Sequence, residues 1–194
     1  MTLPQLHGET EWIIARAMIA ELDAYLKSDQ VFWPLAPNTP LGSQLPQLTI
    51  GGLLEALARA EAAADELSAD QRAELSTIRQ QHDRSRADRP VAYEQHAVRE
   101  IHSRLNQWAA FLDEAGRRPT DLAYYAHEVR ARAKIDLLAG VLGGALPASD
   151  KKRIADLDAQ LRDRWEPGPF VWDARLQAAF PPDRCWWLYG RWPE

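Results

Sequence analysis

Apolar residues recur along this chain at alternating spacings of three and four, the period of a helix that buries one face. Over 10–28 the stripe is Trp12, Ala15, Ile19, Leu22 and Leu26, with Thr10 as N-cap and Glu11 at the positive end of the helix dipole. Ile50, Leu53, Leu57, Ala60, Ala64 and Leu67 repeat the pattern over 49–67, which leaves Glu55 and Arg59 outside as an i,i+4 pair. Ser68 caps a third helix over 69–86. Its stripe is thin (Leu75, Ile78, His82), so the sequence places it at the periphery. Pro90 opens a fourth helix over 91–115, with Val98, Ile101, Leu105, Trp108 and Leu112 inward and Gly116 as its stop.

The fifth helix, 120–146, changes character along its length. Leu122, Tyr125, Val129 and Ala133 form an ordinary stripe, whereas Ile135, Leu137, Leu138, Val141 and Leu142 are apolar nearly all round. That half is expected to be the most buried helix, although Gly140, Gly143 and Gly144 lower its intrinsic stability. Ser149 caps a sixth helix with Ile154, Leu157, Leu161 and Trp165 inside.

Two stretches interrupt the pattern. Residues 29–47 hold Pro34, Pro37, Pro40 and Pro46, which forbid regular helix. They also hold Val31, Phe32, Trp33, Leu35, Leu41 and Leu45, too apolar for a mobile linker, so an ordered loop is expected. Residues 166–194 are broken by prolines, with one short helix expected near 173–180. No period-two alternation and no internal repeat is visible. The prediction is a single all-α domain over 1–194. It is a compact bundle of five to six helices with an ordered Pro-rich loop at 29–47 and an irregular Trp-rich C-terminal tail at 166–194 packed on the bundle.

Composition narrows the function classes. The formal net charge of −5 argues against a nucleic-acid partner, whose affinity rests on cations neutralising phosphates. The longest nearly uncharged apolar run, 137–148, falls short of the ~20 residues a membrane span needs, so no membrane association is expected. Cys185 is the one cysteine. It cannot form an internal disulfide, and with no basic-then-apolar leader at the N-terminus the expected compartment is the cytoplasm.

Tryptophan is the anomaly. Trp165, Trp172, Trp186, Trp187 and Trp192 lie in the tail, five of the chain's eight. Such rings bury about 150–250 Å² each, so together they represent on the order of 1,000 Å² and an upper bound of roughly 25 kcal/mol gross. Either the tail completes the core or it docks on a second copy or another protein, with Trp33, Trp186, Trp187 and Trp192 as interface anchors. Arg184 and Arg191 are placed to stack on the rings in either case.

Candidate chemistry is sparse. Glu128, Arg132 and Asp136 share one face of the fifth helix, and with Tyr125 and the inward-facing His102 they would line an interhelical ligand pocket. Asp136 needs a partner if buried, and Arg132 is the nearest candidate. His96 and Glu100 also share a face, which points away from the Val98 stripe and is expected to be solvated. No metal-ligand spacing, phosphate loop or hydrolase elbow is present, so no metal or cofactor is expected. These features point to a non-enzymatic helical interaction protein, a homodimer or one with another protein partner. The alternative is a small-molecule-binding or weakly enzymatic bundle that uses the His102 and Arg132 cluster.

Overall fold

The computed structural model describes residues 6–36, 39–117 and 122–191. It is 72% helical, and the expected all-α class is found. Among the described residues the helices are α1 (Gly8–Tyr25), α2 (Ile50–Ala62), α3 (Ala69–Asp88), α4 (Pro90–Ala115), α5 (Leu122–Leu142) and α6 (Ala148–Arg162). One small antiparallel sheet joins β1 (Glu166–Phe170) to β2 (Tyr189–Arg191). The chain divides into two compact units, Leu6–Glu100 and the residues from Ile101 on, with the boundary inside α4. Among the described residues no helix is long and apolar enough to cross a membrane.

In the first unit α1 packs on α2 and α3. Its buried face is Glu11, Ala15, Met18, Leu22 and Tyr25. That is a rotation of about one position from the expected stripe, and Trp12 and Ile19 are left half-buried. The rotation has a cause. Glu11 faces inward because Arg59 of α2 reaches its carboxylate, Nε at 2.8 Å and a terminal nitrogen at 2.7 Å. The expected outer pair of Glu55 and Arg59 is therefore corrected, since both are buried in α2. α1 also begins before Thr10. The Gly8 N–H donates to Glu66 at 2.6 Å, and a Cβ at Gly8 would lie 2.7 Å from the Ala63 carbonyl, so only glycine admits this approach.

The other helix starts follow their caps. Thr49 Oγ1 accepts from Gly52 N–H at 2.9 Å. Ser68 and Gln71 form a reciprocal capping box at the start of α3, whose buried residues are Leu75, Ile78 and His82, as the thin stripe predicts. The described part of the Pro-rich loop is tied down. Trp33 and Leu48 exchange backbone hydrogen bonds of 3.0 and 2.8 Å, and the Tyr25 hydroxyl donates to the Val31 carbonyl at 3.1 Å.

The second unit is built on rings. Trp108 and Phe111 of α4 meet Tyr125 of α5, and Tyr125 stacks on Trp165 with centroids 4.3 Å apart. α5 ends at Leu142, short of the expected 146. Gly143 takes φ +51, a left-handed turn that stops the helix. α6 starts after Pro147 with no side-chain cap, so Ser149 lies inside the helix and is not its cap.

The tail corrects the expectation of no strands. Glu166 pairs with Arg191 and Pro167 with Gly190, and the register then slips before Phe170 meets Tyr189. Pro167, Gly168 and Pro169 mask any alternation, and a Cβ at Gly190 would lie 2.3 Å from Trp165 Nε1. The short helix near 173–180 is a 3₁₀ turn, Ala174–Ala178, capped by Asp173. Trp165, Trp172, Leu176, Phe180, Trp187 and Leu188 are all buried.

Candidate functional site

The cluster on α5 is assembled from its own unit. Arg132 is 5% exposed, and its guanidinium makes a two-pronged pair with Asp158 of α6 at 2.7 and 2.8 Å. The Trp187 ring covers it with the centroid at 3.7 Å. Tyr125 is fully buried, and its hydroxyl donates to the Trp187 carbonyl at 2.7 Å. Burial raises its pKa well above the ordinary tyrosine value. The Arg132 guanidinium is engaged by Asp158 and Trp187, two groups that sequence spacing does not connect to it.

The remaining members disperse. Asp136 is half-buried, but its ion pair is with Arg184 at 3.1 Å, and the Cys185 thiol donates to it at 3.8 Å. Desolvation raises the Asp136 pKa, and Arg184 and Arg132 partly offset this. Glu128 is half-buried. His102 does not face α5. Its side chain is 54% exposed, and Nε2 lies 3.0 Å from Asp150 at the start of α6. Cys185 is buried, and burial, reinforced by Asp136, pushes its thiol up to about 11, far from a reactive thiolate.

The expected anchors also separate. Trp187 is 2% exposed and belongs to the core of its unit, so it presents no surface to a partner. Trp186 is half-buried beneath Arg162, whose guanidinium lies 3.9 Å from the ring centroid. Arg184 and Arg191 pair with Asp136 and Glu166, and among the described residues Arg132 and Arg162 lie over the Trp187 and Trp186 rings. Trp33 is half-buried against Leu48. Trp192 lies outside the described residues.

Sequence reasoning missed the polar interior of the first unit. Glu100 is fully buried and sits on the N-terminus of α2, where it accepts from Gly51 N–H and the Thr49 hydroxyl, both at 2.7 Å. Its charge meets the positive end of the α2 dipole there. His96, one turn earlier, is 1% exposed. The expected solvated pair of His96 and Glu100 is thus corrected. Both face inward because Ala97 lies on the buried face of α4, where Val98 was expected, and Val98 is half-buried. His82 is held on both ring nitrogens, by Asp83 at 3.0 Å and the Tyr93 hydroxyl at 2.8 Å, and burial lowers its pKa. A doubled inward register on α4, at 93, 96, 97, 100 and 101, is the signal that would have found these groups.

One of several grooves in this unit lies on α1. Glu9, Trp12, Ile13, Arg16, Ala17 and Ala20 line a groove of about 320 Å³, walled on one side by Thr39 and Pro40. Arg16 lies over the Trp12 ring at 5.4 Å and pairs at the surface with Glu74. Among the described residues there is no group of three His, Cys, Asp or Glu that could hold a metal ion. Compared with known protein families, curated proteins and solved structures, the chain matches none.

Proposed function

We propose that this chain is a non-enzymatic, cytoplasmic helical protein that associates with a second copy of itself through α1. One observation carries the reading: Glu9, then Trp12 with Ile13, then Arg16 follow one another along the groove face of α1. That order is self-complementary. Two α1 helices laid antiparallel about a twofold axis between Trp12 and Ile13 set each Glu9 against the other copy's Arg16, and each Trp12 against the other copy's Ile13. Tryptophan and arginine are the residue types that most often anchor interfaces.

A single helix pair buries less than the roughly 1,200–2,000 Å² of a stable complex, so the dimer is weak and concentration-dependent. The cytoplasmic assignment is supported by the buried, unpaired thiol of Cys185. The rival reading, a ligand beside Arg132, requires that guanidinium to give up both Asp158 and Trp187.

Light scattering across a concentration series tests the pairing. The wild-type chain is expected to move from monomer toward dimer. Glu9→Arg and Arg16→Glu each hold it monomeric by opposing like charges, and the double reversal restores association. A wild-type chain that stays monomeric at the highest concentration, or a double reversal that fails to recover, would falsify the reading. The Arg16–Glu74 pair, lost in Arg16→Glu and in the double reversal, is exposed and contributes little to stability.

A further inference from the structure

Three contacts from α1 and α4 converge on the start of the Pro-rich loop. His96 Nε2 lies 3.1 Å from the Ser28 carbonyl, the Arg99 guanidinium donates to the Asp29 carbonyl at 3.0 Å, and the Tyr25 hydroxyl donates to the Val31 carbonyl at 3.1 Å. The His96 ring also packs on Tyr25, centroids 4.2 Å apart. A carbonyl only accepts, so Nε2 carries the hydrogen and Nδ1 is bare in the neutral ring. Nδ1 is buried and has no hydrogen-bond partner among the described residues.

Adding a proton there places a second N–H, and a full charge, where no acceptor waits. The surrounding charges do not rescue it. Arg99 on α4 opposes the added charge, and Asp29 in the loop favours it. Glu100, also on α4, is committed to Thr49 and Gly51, and Tyr25 on α1 is kept neutral by burial and by Glu100. Desolvation, with Arg99, holds the His96 pKa below the ordinary histidine value.

We infer that His96 is an acid-sensitive latch on residues 28–33: protonating its buried ring expels it from the Ser28 and Tyr25 contacts and frees the start of the Pro-rich loop. The same loop continues to Thr39 and Pro40, which wall the α1 groove. Acid thereby alters the surface used for self-association, a step that rests on the function proposed above. The sign follows from linkage. With a folded-state pKa below the unfolded value of about 6.5, the latched form binds fewer protons, so the latch is at full strength above that pH and weakens as pH falls through it. His82 is a distinct case, because both of its nitrogens are already partnered between α3 and α4.

The amide protons of Trp33 and Leu48, bonded across the loop, report the latch by hydrogen exchange on the full chain, corrected for intrinsic pH dependence. Between about pH 7.5 and 5.5 their protection is expected to fall in the wild type, by at most about tenfold, the ceiling that an unfolded pKa of about 6.5 sets. In His96→Gln, whose amide can still donate to Ser28 but does not titrate, protection stays constant, while His82→Gln keeps the wild-type fall. Flat protection in the wild type, an equal fall in His96→Gln, or a wild-type His96 ring resonance titrating at or above about 6.5 overturns the latch. The ring titration needs no variant to fold.

Light scattering on the same samples separates the two claims. Loop release in a chain that never dimerises overturns self-association and leaves the latch standing. A dimer whose amount ignores the release overturns the link between them. Dissociation in step with release supports both.

Discussion

The two units bury their interiors by different means. Between Leu6 and Glu100 the helices close over charge: Glu11 with Arg59, Glu100 on the end of α2, and the rings of His82 and His96. From Ile101 on, the described interior is rich in rings, with Trp108, Tyr125, Trp165, Trp172, Phe180 and Trp187 buried and Trp187 laid over the guanidinium of Arg132. The contrast decides how each fails. Apolar burial loses stability in proportion to area removed, whereas a buried charge holds only while its partner is present. The first unit holds more such groups and is thus the more fragile to single substitutions and to protons, whereas the second, its Arg132–Asp158 pair apart, is graded in its losses.

Removing one partner of the buried pair attacks the contrast most directly. Arg59→Met leaves the Glu11 carboxylate enclosed and unpaired, and is expected to cost about 3–5 kcal/mol in urea unfolding. Adding Glu11→Leu is expected to restore most of that loss, because two apolar groups no longer need each other's charge. A double variant as unstable as the single would show that the pair is not what makes this unit fragile.

In the aromatic unit the expected losses are smaller. Trp172→Phe removes an indole N–H that donates to the Ala126 carbonyl at 2.8 Å, together with part of the ring. Unfolding followed by tryptophan fluorescence is expected to report a loss of about 1–3 kcal/mol. The smallest effect is Tyr125→Phe. It keeps the ring on Trp165 and forfeits only the hydroxyl bond to the Trp187 carbonyl, for about 0.5–1.5 kcal/mol. A larger cost there would mean that the aromatic unit also depends on a polar linchpin, and the contrast would narrow.

How much of this was legible in the sequence follows the same division. Periodicity located the six helices of the described residues, and Thr49 and Ser68 announced two starts through their side chains. The face of α1 was misjudged because a hydrophobicity stripe favours Trp12 and Ile19 over Glu11. Only the arrival of Arg59 from a residue 48 positions away makes Glu11 an interior residue. Glu100 was missed for the same reason: its partners are the backbone of α2 and Thr49, and no i,i+4 rule within α4 points to them. On α5, spacing paired Arg132 with its helix neighbours. Asp158 and Trp187 compete for it with better geometry, a planar fork and a ring face. The sheet was invisible because its strand carries two prolines and a glycine, and its pairing depends on the bare backbone of Gly190.

The cap that Trp187 forms over Arg132 also sets an order of events during synthesis. At about 5–20 residues per second, Arg132 joins the growing chain roughly 3–11 seconds before the ring that covers it has been made. During that interval Tyr125, Ala126 and Arg132 lack the Trp187 and Trp172 groups that later satisfy them. The nascent chain therefore passes through a stage with α5 uncovered, the kind of apolar surface that chaperones hold. The polar unit waits about as long for its own partners, 48 residues from Glu11 to Arg59 and 49 from Gly51 to Glu100, but it has all of them before α5 is begun.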